Sequence, residues 1–214
     1  MKKQLRYALG EIFIVIVGIS IAFSLNKCAE VKKNDAQKTQ YLENLKEDIK
    51  VDKQHLEQNL EAISNKIKAL NEVIPLINTD VPEKLKSHQK LFSSFTLSEF
   101  HPKDITYQTM INSGDFKLID DFKLKAAIEE HYSNYKSILK DYSRQETIHK
   151  EYLGNYLINH ADYDVMRQGQ FGFNNEALLK NILQSMNGSF GIKKEATERG
   201  IKSCDSLLVV LNKY

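Results

Sequence analysis

The chain has 214 residues, enough for one domain of ordinary size plus an appendage. Its 30 basic and 28 acidic residues leave a net charge of +2, which gives no general polyelectrolyte pull toward nucleic acid. Nine glycines and three prolines are too few for a turn-rich sheet protein or a long disordered tail, while 42% apolar content suffices for a core. Cys28 and Cys204 lie far apart and show no CxxC or Cys/His spacing. Two unpaired thiols are therefore expected rather than a zinc site or a disulfide framework, with one long-range disulfide as the alternative in an oxidising compartment.

The chain opens with a short basic segment, residues 1–6, carrying Lys2, Lys3 and Arg6. A transmembrane helix is expected over residues 7–26. From Ile12 to Leu25 the only polar side chains are Ser20 and Ser24, and Glu11 is the one charge between Tyr7 and Asn26. About twenty helical residues rising 1.5 Å each cover a hydrocarbon core of roughly 30 Å. Glu11 falls near the headgroups, where its cost is below the midplane penalty. A cleaved signal peptide or a lipoprotein signal has a similar basic start, but the exit SLNKCAE places Asn26 and Lys27 against cleavage and against lipidation of Cys28. An uncleaved signal anchor is the expectation. Lys27, Lys32, Lys33 and Lys38 nearly balance the basic start, and the shortness of that start favours a cytoplasmic N-terminus. The expected location is a bacterial inner membrane, single-pass, with the soluble domain on the periplasmic side. Within the span, Gly18 and Ala22 form a small-xxx-small pair, and Gly10 lies beside Glu11, so these four residues are the candidate helix–helix contact. The alternatives are a snorkelling Glu11 and a chance pair of small residues.

Residues 27–34 form a juxtamembrane segment, and 35–214 read as a soluble, all-α domain: a bundle or stacked helical hairpins with two long helices. From about Asp35 to Ile74 the apolar positions Leu42, Leu45, Ile49, Leu56, Leu60, Ile63, Ile67, Leu70 and Ile74 approach a 3.5-residue repeat. One long helix is expected, continuous with the span or following it, whose seam packs on the rest of the domain or on a second copy as a coiled coil. Asp80 to Glu83 starts a helix running to about Phe92, followed by a loop from Ser93 to Pro102. Asp104 caps a short helix, Ile105 to Ser113, which Gly114 ends in the left-handed conformation. After a turn through Asp121, the second long helix runs from Phe122 to Asn159, with Leu124, Ile128, Tyr135, Ile138, Leu139, Tyr142, Tyr152, Tyr156 and Leu157 on its apolar face. Ala161 to Phe173 is an irregular connection. Asn174 or Asn175 caps a helix ending at Gly188, and Ile192 to Leu211 forms the last. No segment shows the period-two alternation of a strand.

The stretch YALGEIFIVIVGISIAF, Tyr7 to Phe23, resembles an uncharacterised family of small membrane proteins common in flavobacteria and their relatives. Those proteins open with a basic stretch and a Y-x-(I/L)-G-E-I span. TYQTMINSGDFKLIDDFKLKAAIEEHYSNY, Thr106 to Tyr135, is similar to a second block of that family. The exit Leu25-Asn26-Lys27-Cys28 departs from the family's Trp-bearing pattern. The resemblance implies a membrane location and a helical domain, and it implies no chemistry.

Candidate sites are few. Glu146 and His149 form an E-x-x-H, but a di-metal bundle needs a second such motif and two further carboxylates, so a solvated helix face is expected. Tyr132, Tyr135, Tyr142, Tyr152 and Tyr156 read as core residues with hydroxyls at the rim rather than as a ligand pocket. Ser113-Gly114-Asp115 lacks the glycine-rich length and the lysine of a phosphate loop. No catalytic residue, metal or cofactor is expected. The expected role is a non-enzymatic membrane-anchored interaction or accessory protein, with the lipid bilayer and a membrane-protein partner or second copy as its contacts and no nucleic acid. The alternative is a ligand-sensing domain that signals through the span to a partner's membrane helix.

Overall fold

The computed structural model describes residues 2–214, with side chains from residue 10 onward. The side chains of Lys2, Lys3, Arg6 and Tyr7 lie outside the described residues. The protein is 83% helical, with no strand among the described residues. Its first helix, α1 (Lys2–Val73), spans 72 residues and about 108 Å, with no break over residues 27–34. Between Gly18 and Pro75 there is no glycine or proline to interrupt it. Its apolar stretch from Ile12 to Leu25 is exposed, and it is the one helix among the described residues long and apolar enough to cross a membrane.

Further along, α1 enters the bundle. Its buried residues are Leu42, Leu45, Ile49, Asp52, Leu56, Asn59, Ile63, Lys66, Leu70 and Val73, an unbroken alternation of three- and four-residue steps. Leu42, Leu45, Ile49 and Leu56 pack into one core cluster, and Ile63, Leu70 and Val73 into a second, within the same chain. The seam differs from the sequence reading in one way. Leu60, Ile67 and Ile74 flank it half-buried, and the buried partners of the repeat are Asn59, Lys66 and Val73.

The chain then runs up and down against α1. At the far end come a 3-10 turn (Ile74–Leu76), α2 (Glu83–Lys86) and α3 (His88–Ser94). Here a single helix to Phe92 was expected. The structure divides it at Ser87, which is buried with its hydroxyl donating to the Lys84 carbonyl at 2.6 Å. The second passage descends as the non-helical segment 95–104 and then α4 (Ile105–Ser113), ended by Gly114 at φ +75° as the sequence indicates. The third ascends as α5 (Phe122–Thr147), a π-helical turn (Ile148–Leu153) and α6 (Gly154–His160). Asp121 caps α5 by accepting from the Lys123 and Leu124 amides. After α7 (Tyr163–Arg167), α8 (Glu176–Leu211) descends the full length, capped by Asn175. Lys38–Asp120, Lys53–Asp205 and Asn71–Asn187 contacts fix this order of directions. α8 comes closest at Gly200, where a Cβ would stand 2.9 Å from a Leu56 methyl and 3.1 Å from one of Ile138.

Two further expectations fail. The helix expected to end at Gly188 continues through it. A helical glycine costs about 1 kcal/mol relative to alanine, whereas burying side chains such as Met186 and Phe190 contributes about 1.5–3 kcal/mol each, so packing on both sides carries the helix across. Tyr152, expected on the apolar face, is 58% exposed, while Leu153 is 2% exposed. The wider π-helical turn adds a residue to that turn and rotates the buried face by one position.

Candidate functional site

The unusual part of the molecule is the descending segment Phe95–Lys103. It runs through the bundle in place of a helix, so its backbone groups lack the partners a helix supplies internally. Side chains from three helices provide them. On α1, the three polar residues of the heptad seam each reach this segment. Lys66 Nζ donates to Thr96 O (2.7 Å) and Ser98 Oγ (2.8 Å). Asn59 Nδ2 donates to Glu99 O at 2.8 Å. Asp52 accepts the Lys103 amide at 2.9 and 3.1 Å. Their seven-residue spacing matches an extended chain laid antiparallel along the helix.

From the opposite side, Lys193 of α8 donates to Ser98 O at 2.7 Å and to Gln145 Oε1. Because an ammonium only donates, the Gln145 amide must turn its NH₂ the other way, toward His149 Nδ1 at 3.0 Å. His149 Nε2–H then donates to Phe95 O at 2.5 Å, which assigns the neutral tautomer. The relay Lys193, Gln145, His149 and Phe95 carbonyl thus points in one direction. Tyr142 donates to Thr197 Oγ1 (2.7 Å), whose own proton goes to Lys193 O. This polar layer separates the two apolar clusters, one ending at Tyr142 and Ala196, the other at Leu153 and Phe190.

Both ammonium groups are buried, Lys66 at 8% and Lys193 at 2% exposure, and neither forms an ion pair with a carboxylate among the described residues. Such a group is costly to bury and loses its proton more readily. Burial, with the Lys66 charge next in size, pushes Lys193 down to about 8, and burial lowers Lys66 as well. His149 is lowered by burial too. Lower in the bundle, burial raises Asp52 to about 6 against the Lys103 amide that favours its charge. His131, bonded to Ser203 Oγ at 2.9 Å and with no partner for its buried Nε2, is pushed down to about 4.

Above Lys193 the surface opens into a cleft of about 240 Å³, with Leu97, Phe100 and Leu139 on its wall and Glu99 and Glu146 among its polar lining. A desolvated lysine in a cleft has the make-up of a ligand anchor or of a nucleophile.

The residues singled out from sequence are distributed differently. Of the E-x-x-H, Glu146 takes Lys150 at 2.5 Å on the outside, whereas His149 turns inward and spends both ring nitrogens in the relay, so it is not part of a solvated face. Among the described residues no cluster of metal ligands occurs. Tyr132, Tyr135, Tyr142 and Tyr156 are buried, Tyr135 with its hydroxyl 3.3 Å from Cys204 Sγ. Cys204 is a buried free thiol, and Cys28 an exposed one. Asp115 sits on no anion-binding turn. Its carboxylate accepts from Gln37, Tyr41 and Ser113, each at 2.8 Å, and so docks α1 on the turn after α4. Gly10, Glu11, Gly18 and Ala22 all lie exposed on α1.

Asp52, Asn59, Lys66, Gln145 and Lys193 were not found from sequence. The first three sit seven apart in register with Leu45 and Val73, which is the signal that could have revealed them.

Residues 11–151 match the sequence profile described as "Family of unknown function (DUF6090)". The chain belongs to this family. The matched stretch carries the α1 seam, the clamped segment and the Gln145–His149 half of the relay, while Lys193 on α8 lies beyond it. For this DUF6090 chain, no curated protein and no solved structure matches.

Proposed function

We propose that this chain is a non-enzymatic, single-span membrane-anchored accessory protein whose helical domain engages a membrane-protein partner or a second copy close to the bilayer. The observation that carries this reading is the continuity of α1, which runs from the exposed apolar stretch Ile12–Leu25 into the core seam with no hinge. A domain built on the end of its own anchor is held at a fixed distance and orientation from the membrane. The polar side chains of the α1 seam, Asp52, Asn59 and Lys66, support a non-catalytic role, since they are occupied in holding segment 95–103. The anchor is uncleaved, with a cytoplasmic N-terminus and the domain on the periplasmic side of a bacterial inner membrane. The flavobacterial resemblance of Tyr7 to Phe23 belongs to this reading, as does pairing of spans through Gly10, Glu11, Gly18 and Ala22. Purification of the full chain from its native membrane in mild detergent, followed by mass spectrometry, tests it. One stoichiometric membrane partner, or a homo-oligomer, is expected, and a chain that purifies monomeric and alone refutes it.

The cleft over Lys193 favours a second reading, a ligand-sensing domain that passes its state to a partner span. It predicts a small molecule retained in native mass spectrometry.

A further inference from the structure

Lys193 is a nearly fully buried cation with no carboxylate within ion-pair distance among the described residues, and it lines a cleft open to solvent. Two of its three N–H groups are spent on Ser98 O and Gln145 Oε1. The third has only the face of the Tyr142 ring, 4.4 Å from Nζ, which is itself part of the cleft lining. A bound carboxylate would supply the missing counter-charge in a place shielded from water, where a charge-assisted hydrogen bond is strongest. A plain anion, however, would also meet Glu99 and Glu146 in the lining of the same cleft, two half-exposed acidic residues whose present partners, His101 at 3.3 Å and Lys150 at 2.5 Å, are themselves on the surface. Between them stand the apolar side chains of Leu97, Phe100 and Leu139. A cation at the floor, carboxylates in the lining and an apolar wall complement a molecule with charges of both signs and an apolar body. The volume of about 240 Å³ equals that of about eight waters at roughly 30 Å³ each, the scale of a medium-sized amino acid.

We propose that this cleft binds a small zwitterion of the α-amino-acid class, its carboxylate on Lys193, its ammonium at Glu99 and Glu146, and its side chain against Leu97, Phe100 and Leu139. The inference rests on the ligand-sensing reading and specifies the ligand for it. The two fail separately, because a different molecule retained in native mass spectrometry keeps sensing while removing the zwitterion.

The test is isothermal titration calorimetry on the full chain in detergent micelles with three probes: L-leucine, 4-methylpentanoate (no ammonium) and 3-methylbutan-1-amine (no carboxylate). Saturable binding of leucine is expected, with each analogue weaker by about tenfold or more, the scale of one lost charged hydrogen bond. Glu146→Gln leaves the fold intact, since that half-exposed side chain makes only a surface ion pair with Lys150, and weakens leucine several-fold. Leu139→Trp fills the cleft without touching Lys193 and abolishes binding, and Lys193→Gln, where it folds, does the same. The proposal is overturned if leucine gives no saturable heat, if 4-methylpentanoate binds as tightly as leucine, or if Leu139→Trp leaves leucine binding unchanged.

Discussion

Replacing Asp52 by asparagine isolates the most expensive charge on the α1 seam. Asp52 is 1% exposed, and burial raises it from 3.8 to about 6, which corresponds to about 3 kcal/mol against the ionised form. A carboxyl raised on folding contributes stability that is complete below pH 3.8 and lost as pH rises through about 6. His131 works in the opposite sense. Depressed from 6.5 to about 4, it contributes stability present above pH 6.5 and lost as pH falls through about 4, again of about 3 kcal/mol. Over nearly the same window the two largely cancel in the native chain. In Asp52→Asn the amide oxygen still accepts from the Lys103 amide but carries no charge. The variant is relieved of the cost of the buried charge, and because the shift to about 6 already includes the opposing bond from the Lys103 amide, the net stabilisation is about 3 kcal/mol at pH 7. The gain fades to nothing by pH 4, where the native carboxyl is protonated, so the variant's stability rises more steeply with pH than the native chain's. The assay is urea unfolding of both full-length chains in detergent at pH 4, 5.5 and 7. It is followed by near-ultraviolet circular dichroism of the tyrosines, of which there are ten and no tryptophan. A variant less stable than the native chain at pH 7, or a difference that does not shrink toward pH 4, refutes the claim that desolvation dominates at this site.

Residues 35–214 expressed alone should be soluble and give a helical circular dichroism spectrum, and a strand-type spectrum contradicts the bundle. In the full chain, Ile63→Asp with Ile67→Asp should cost several kcal/mol, because Ile63 is fully buried and Ile67 packs beside it. N-terminal sequencing of the membrane fraction should recover Met1 or Lys2, and a mature start near Asn26 to Glu30 ends the anchor proposal. Gly18→Ile should reduce FRET between labelled copies in liposomes, or between chain and partner, relative to Ile16→Leu. Equal signals show that face to be merely lipid-exposed.

The long-range periodicity was legible because it depends on side chains that have only one place to go. Leu42, Leu45, Ile49 and Leu56 mark the seam by hydropathy alone, and Gly114, Asn175 and the start at Phe122 follow local backbone chemistry. The phase of the seam was not legible past Leu56. There the apolar neighbours Leu60 and Ile67 suggested a path that the structure gives to Asn59 and Lys66. Polar residues belong outside as a rule, and the exception arises here because they face a passage that is not a helix and needs partners for its carbonyls. That passage owes its form to long-range contacts, and no local feature of Phe95–Lys103 announces them. The π-helical turn is equally invisible: an α-helical reading places Tyr152 inward, and one additional residue in the turn exchanges it for Leu153. Lys193 was missed for the reason Lys66 was, and Gly188 misled because helix-breaking propensity is small beside the burial of Met186 and Phe190.

These features meet in α1. A helix without glycine or proline from Ile19 to Ile74 bends only gently, so a rotation of the apolar stretch about its axis cannot be absorbed before the bundle begins. The first groups to feel it are Gln37 and Tyr41 on Asp115, then Asp52, Asn59 and Lys66 on the descending segment. An apolar seam tolerates small rotations, because methyl groups slide at little cost. A hydrogen bond weakens steeply with angle, so the polar seam sets the rotational position of the helix far more sharply. Ser98 takes Lys66 from α1 on its hydroxyl and Lys193 from α8 on its carbonyl, so the residue that registers α1 also carries the floor of the cleft. Polar residues on the seam cost stability through desolvation. In return they lock the bundle to one rotational setting of the apolar stretch, which leucines at positions 52, 59 and 66 would leave free.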